Sequence, residues 1–137
     1  MILVFDSYAW IEYFLGSKLG EKVLELIERA ELIYTPTVVL LEIANKYFRE
    51  GFSREDVEER INAIMRQSLV VPVESDVLLL IGEAQRTLND NTRKQRLRSK
   101  PSMVDYYVYA LAIKIGAKIV TGDKHFKGLS GVIFLEG

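Results

Sequence analysis

The chain has 137 residues, 49% of them hydrophobic and 27% charged, and a formal net charge of −1. This is the size and balance of one globular domain with a real core, spanning 1–137, and the near-zero charge means that any attraction for nucleic acid must be local. The absence of cysteine excludes disulfides, thiolate metal sites and cysteine nucleophiles, and a single histidine, His125, excludes multi-histidine zinc chemistry. No apolar run approaches the about 20 residues that cross a bilayer, and MILVF is too short for a signal segment, so a cytoplasmic location is the expectation.

In chain order, Ile2–Phe5 reads as a buried strand and Tyr8–Leu15 as a short helix. Lys18–Ala30 carries Leu19, Val23, Leu26 and Ile27 at helical spacing. Leu32–Tyr34 is a brief strand that ends at Thr35-Pro36, with Pro36 expected at the first position of a helix running to Glu50 and stopped by Gly51. Ser53 caps a helix to about Arg66, with Glu55 and Asp56 in its first turn. Leu69–Val73 is a strand and Asp76–Leu88 a helix, after which polar, basic Asn89–Pro101 breaks the pattern. Ser102–Ile115 is helical, Gly116 ends it, and Lys118–Thr121 and Val132–Leu135 are the last strands. Strands that alternate with helices predict an α/β fold, a mostly parallel sheet of about five short strands with helices on both faces.

In such a sheet ligands sit beyond the carboxyl ends of the strands, so the residue that follows each strand carries information. Asp6-Ser7 follows the first strand and Gly122-Asp123 follows IVT; each acid is also a good turn or cap residue on its own. Asp105 lies in the first turn of a helix that is apolar on nearly every side, and Ser102-x-x-Asp105 matches a capping box. Glu42 lies in TPTVVLLEIANKYF among apolar neighbours. Either it pairs with Lys46 one turn on, or it turns inward to a polar partner. Trp10 and Phe14 read as core or dimer contacts rather than base-stacking groups, and His125 as a surface or half-buried residue after a turn.

The ordered series FDSYAWIEYF, TPTVVLLEIAN and SMVDYYVYALAIKIGAKIVTGDKHF resembles the PIN domain family, and more narrowly the VapC-type ribonuclease toxins of prokaryotic toxin–antitoxin pairs. The resemblance covers nearly the whole chain and implies a PIN-like three-layer sandwich. It implies an acidic pocket of Asp6, Glu42, Asp105 and Asp123 that binds Mg2+ or Mn2+ and hydrolyses single-stranded RNA. It also implies supporting hydroxyls at Ser7 and Thr121, a cognate antitoxin and a homodimer. The departure from the family is Asn89–Pro101, which is longer and more basic than the usual approach to the third acid.

Electrostatics favours a metal independently. Two carboxylates 4 Å apart repel by roughly 4 kcal/mol at an effective dielectric near 20, so four stay ionised together only with a cation or protons. All-oxygen ligands suit a hard ion that polarises a phosphoryl oxygen and activates water. On this reading Asp6 and Asp105 are the primary ligands, while Asp123 and Glu42 complete a second site or position the water. The basic residues Arg93, Lys94, Arg96, Arg98 and Lys100 are expected to meet the RNA backbone or acidic groups of a partner. The alternative is a PIN-fold RNA- or protein-binding module without catalysis. A phosphatase or phosphoacceptor domain is disfavoured, because Tyr8 and Ser7 stand where those sites carry a second acid.

Overall fold

The unbroken apolar run Ile2–Phe5 forms β1, and its Leu3, Val4 and Phe5 side chains are fully buried. That burial follows from its place in the sheet. The computed structural model describes residues Met1 to Gly137, and its five strands stand in the order β3-β2-β1-β4-β5, all parallel. The other strands are β2 (Leu32–Pro36), β3 (Leu69–Val71), β4 (Lys118–Thr121) and β5 (Val132–Phe134). The central strand has helices above and below it and reads as apolar throughout, whereas the edge strands β3 and β5 are shorter and only partly buried.

The helices are α1 (Ser7–Leu15), α2 (Lys18–Arg29), α3 (Thr37–Arg49), α4 (Arg54–Gln67), α5 (Ser75–Leu78), α6 (Ile81–Lys94) and α7 (Met103–Ile115). Crossovers between parallel strands are right-handed as a rule, which puts α1–α4 on one face while the chain moves outward from β1 to β3. They put α5–α7 on the other face when it returns to β4. The result is three layers. One buried cluster runs from Leu3 to Leu135 and contains Trp10, whose indole Nε1 donates to Thr35 Oγ1 at 3.1 Å. Trp10 is therefore a core residue, and the Phe14 ring stacks beside it with centroids 6.3 Å apart. No helix is long and apolar enough to cross a membrane.

Most predicted elements form close to their expected limits, with three differences. Pro36 is the last residue of β2 and the N-cap of α3, one position earlier than expected. The segment Asp76–Leu88 is not one helix: α5 stops at Leu78, and α6 begins at Ile81 after a turn through Leu79 and Leu80. The third difference concerns Asn89–Pro101, where the helical pattern does not break at Asn89; α6 continues through Lys94 and carries Arg93 and Lys94 with it.

Asn89, Asn91 and Thr92 find their partners within the fold, while Asp90, Arg93 and Lys94 face solvent. Asn89 Oδ1 accepts from the Tyr106 hydroxyl at 2.8 Å, and Asn91 Nδ2 donates to the carbonyls of His125 and Lys127 at 2.9 and 3.0 Å. Thr92 donates back to the Leu88 carbonyl. A polar composition that implies a loop therefore belongs, as far as Lys94, to a helix whose Asn89, Asn91 and Thr92 face is packed.

Candidate active site

The strand order reverses at β1, so the crevice between the carboxyl ends of β1 and β4 is the expected ligand position in an open parallel sheet. Asp6 leaves β1 there, and Asp123 leaves β4. β1 and β4 are hydrogen-bonded neighbours, with Val4 opposite Ile119 and Phe5 opposite Val120, so both acids emerge at one edge.

Asp6 is 95% buried, with only 5% of its surface exposed, and it caps α1: one carboxylate oxygen accepts from the Ala9 amide at 3.0 Å. The other oxygen accepts from the Thr121 hydroxyl. The same hydroxyl accepts from the Asp123 amide at 2.9 Å, so Thr121 ties the first and last acids together. Gly122 separates them for a steric reason. A Cβ at that position would lie 2.2 Å from a ring carbon of Tyr8, whose side chain occupies the space above the strand end.

Asp105 arrives from the other face on the first turn of α7. The capping box is complete: Ser102 Oγ accepts from the Asp105 amide at 3.1 Å, and Asp105 Oδ2 accepts from the Ser102 amide at 2.8 Å. At the far end of α7, Gly116 closes the helix in the left-handed region at φ 67°. Glu42 comes from the middle of α3 and turns inward. Its Oε1 accepts from the Ser7 hydroxyl at 2.5 Å, while Lys46 pairs with Glu50 at 2.7 Å instead. Each expected hydroxyl, Ser7 and Thr121, thus touches a carboxylate.

All four acids line one cavity of about 840 Å3. Burial pushes the Asp6 carboxyl up to about 8, with Asp105 and Asp123 adding to the rise against the hydrogen bonds from Thr121 and Ala9. Burial likewise pushes Asp105 up to about 6, and the charges of Asp123 and Glu42 add to it. Tyr8 is held above the usual phenol range by burial and then by Glu12, Asp6 and Asp123, so it remains a neutral phenol. The acids therefore feel one another across four separate elements.

No three Asp, Glu or His side chains stand as a ready-made ion cage. The donors nonetheless suit a hard cation. Glu42 Oε2, Asp105 Oδ1 and Asp123 Oδ2 take no hydrogen bond from the chain, and every available ligand atom is oxygen. A divalent charge among these carboxylates would offset the burial and repulsion that raise the Asp6 and Asp105 carboxyls.

The cavity has further walls, of which Arg49 and Ser99 carry no sequence signal of a site. Lys46 and Arg49 line it from α3, and with Glu42 they fall at i, i+4 and i+7, a spacing that marks one helix face. Ser99 and Lys100 line it from the connection between α6 and α7. Of the five expected basic residues, only Lys100 reaches the cavity; Arg93 pairs with Asp90 on α6.

His125 lines the cavity as well, and the expectation of a surface or half-buried residue does not hold: it is only 6% exposed. Its ring nitrogens face Thr92 Oγ1 at 2.7 Å and Ser99 Oγ at 3.2 Å, and its amide donates to Asp123 Oδ1 at 2.8 Å. Those partners come from α6, the connection after it and the end of β4, which no local sequence pattern links.

The PIN domain model matches residues 3–132 of the chain. The chain belongs to the PIN domain family. Solved structures agree with this fold assignment. VapBC2 from Rickettsia felis, bound to a DNA fragment from its promoter, is similar with a TM-score of 0.70 at 17% identity, covering 98% of this chain and 97% of that one. Mycobacterium tuberculosis VapC20, a sarcin–ricin loop cleaving toxin, is similar with a TM-score of 0.64 at 19% identity, over 96% and 98% of the two chains. A toxin–antitoxin complex from Klebsiella pneumoniae is similar with a TM-score of 0.63 at 16% identity, over 98% of each chain. No curated protein matches the sequence. In this PIN domain the acids of the expected series stand at the switch point of the sheet.

Proposed function

We propose that this PIN domain is a metal-dependent endoribonuclease that hydrolyses phosphodiester bonds of single-stranded RNA and serves as the toxin of a toxin–antitoxin pair. The observation that carries the reading is the convergence of Asp6, Glu42, Asp105 and Asp123 from four elements into one cavity, where burial raises the Asp6 and Asp105 carboxyls above the usual range. A protein surface that only bound a polyanion would gain nothing from such a repelling cluster.

Asp6 and Asp105 would be the primary ligands of Mg2+ or Mn2+, with Asp123 and Glu42 beside them. When bound, the ion would polarise the scissile phosphate and make water a competent nucleophile near neutral pH. The protein's own residues do the rest. The Thr121 hydroxyl and the Ala9 amide hold both Asp6 oxygens in place, and Ser7 orients Glu42. The Ser102 amide fixes one Asp105 oxygen and leaves the other free toward the cavity. The α1 and α7 N-termini, which carry positive dipole ends, favour a phosphate at the same edge. Lys46, Arg49 and Lys100 on the walls would offset the repulsion between the RNA backbone and the acids.

Support for the toxin assignment comes from the VapBC and toxin–antitoxin structures that share this fold. A cognate antitoxin, a homodimer and a cytoplasmic location belong to the same proposal. The competing reading, a binding module without catalysis, draws on the Asp105 capping box, which accounts for that acid without a metal. Incubation of wild type and Asp6→Asn with labelled single-stranded RNA in EDTA, Mg2+ or Mn2+ separates the two. Cleavage by the wild type only with metal supports the nuclease, whereas binding without cleavage in every condition supports the module.

A further inference from the structure

The connection from α6 to α7, residues 95–101, alternates between residues anchored to the fold and residues that are free. Gln95 Nε2 donates to the Lys124 carbonyl at 2.6 Å, the Leu97 amide donates to the Thr92 carbonyl at 3.1 Å, Ser99 Oγ meets His125 Nε2 at 3.2 Å, and Pro101 is buried. The residues between these anchors are Arg96, Arg98 and Lys100. All three are exposed, and none makes a side-chain hydrogen bond or ion pair within the chain. Of the neighbouring cations, Arg93 pairs with Asp90 and Lys127 with Glu136 at 3.1 Å, while Lys94 on α6 and Lys124 after β4 make no ion pair.

Arg96 carries a second mark. It is the one non-glycine residue of the chain in the left-handed region, at φ 56°. It sits just after the C-cap of α6, where glycine would adopt the same backbone without a Cβ penalty. A strained residue persists where its surroundings hold it, and the side chain is then the reason to look for. The segment is pinned on both sides of Arg96, by Gln95 and Leu97, so the strain is imposed by anchors that also hold its charge outward.

We infer that residues 95–101 form an immobilised cationic strap, and that Arg96, Arg98 and Lys100 bind consecutive phosphates of the RNA strand outside the acidic cavity. The inference rests on the nuclease reading for the identity of the ligand. RNA is favoured over an acidic protein because Lys100 belongs both to the strap and to the cavity wall. The charged face is thus continuous with the acids, and a strand with one phosphate among them needs cations for its neighbours. His125 contacts Ser99, the residue before Lys100, at the cavity mouth.

The test uses a fluorescein-labelled single-stranded oligouridylate in EDTA, with affinity measured by anisotropy across salt concentrations. Each lost phosphate contact lowers the slope of log K against log salt by about 0.7 for a single strand. Arg96→Gly should lower the slope by about that amount. The triple variant Arg96→Gln, Arg98→Gln, Lys100→Gln should lower it by about 2. Without RNA, Arg96→Gly should raise the thermal midpoint by roughly 2–4 °C, because the left-handed backbone becomes unstrained. A residue kept for structure would instead lower the midpoint when replaced.

An unchanged slope in the triple variant, with wild-type RNA binding intact, overturns the strap and leaves it to an acidic protein surface. A lower midpoint for Arg96→Gly overturns the claim that its charge is retained against strain. Metal-dependent cleavage by the wild type in a parallel assay keeps the nuclease reading alive in either case, and its absence together with absent RNA binding removes both.

Discussion

Two helices of this protein begin with the same local motif and end in different chemistry. Ser53-Arg-Glu-Asp56 opens α4 and Ser102-Met-Val-Asp105 opens α7, and in both the serine hydroxyl accepts from the amide three residues on, at 3.1 Å. Asp56 is exposed and makes no return bond. Asp105 closes the box, is desolvated, and carries a carboxyl pushed up to about 6 with Asp123 and Glu42 beside it. The cap is a property of four residues. The electrostatics is a property of what the rest of the chain brings to them, and only the second helix starts at the edge where β1 and β4 end.

The largest expected difference between the two motifs is in activity. Asp105→Asn should lower RNA cleavage by more than about 100-fold, because it removes a proposed ligand, while Asp56→Asn should leave the rate within about twofold. Equal effects in a gel assay of labelled RNA would dissolve the contrast.

Metal binding comes next. Mg2+ or Mn2+ at 100 times its dissociation constant should stabilise the wild type by about 2.7 kcal/mol, visible as a raised thermal midpoint, with a smaller response in Asp6→Asn. A midpoint indifferent to metal and EDTA in both proteins would remove the ion from the cavity.

Without metal, pH should act in a definite direction. Native Asp6 holds its proton to about 8 and Asp105 to about 6, whereas an unfolded aspartate has lost its proton above about 4. The native state therefore binds more protons through this window, and stability falls as pH rises from about 4 to about 8, then levels. Asp6→Asn should flatten the upper half of that fall. Denaturant titrations at pH 5, 7 and 9 measure it, and a metal-free wild type that gains stability across the window would contradict the desolvation of Asp6.

The smallest effects sharpen the comparison of caps. Ser53→Ala and Ser102→Ala should each cost about 1 kcal/mol of stability through the lost cap. Only Ser102→Ala should also slow cleavage, since it frees the turn that aims Asp105. Matched activity losses in the two variants would show that the effect is structural.

Much of the architecture was legible because it is written in local periodicity. The run Ile2–Phe5 reads as a buried strand, the helix from Ser102 to Gly116 shows both of its ends, and Asp6, Glu42, Asp105 and Asp123 stand out as charges set against apolar sequence. Asn89–Lys94 reads as a break in the sequence because its polar groups resemble those of a loop. Their partners, Tyr106, His125 and the Lys127 carbonyl, lie 17 or more residues away. The burial of His125 is hidden for the same reason, since Thr92 and Ser99 reach it from 33 and 26 residues away.

By itself, then, the sequence determined the order of strands and helices, the caps that begin and end them, and the set of acids set against apolar residues, all of which depend on near neighbours. Only the tertiary structure decided that those acids share one cavity, that Asp6 is desolvated enough to resist ionisation, and that Lys46, Arg49 and Lys100 wall it. The physical reason is that desolvation and Coulomb repulsion depend on distance in space. The parallel pairing of β1 with β4 sets that distance between residues more than a hundred positions apart.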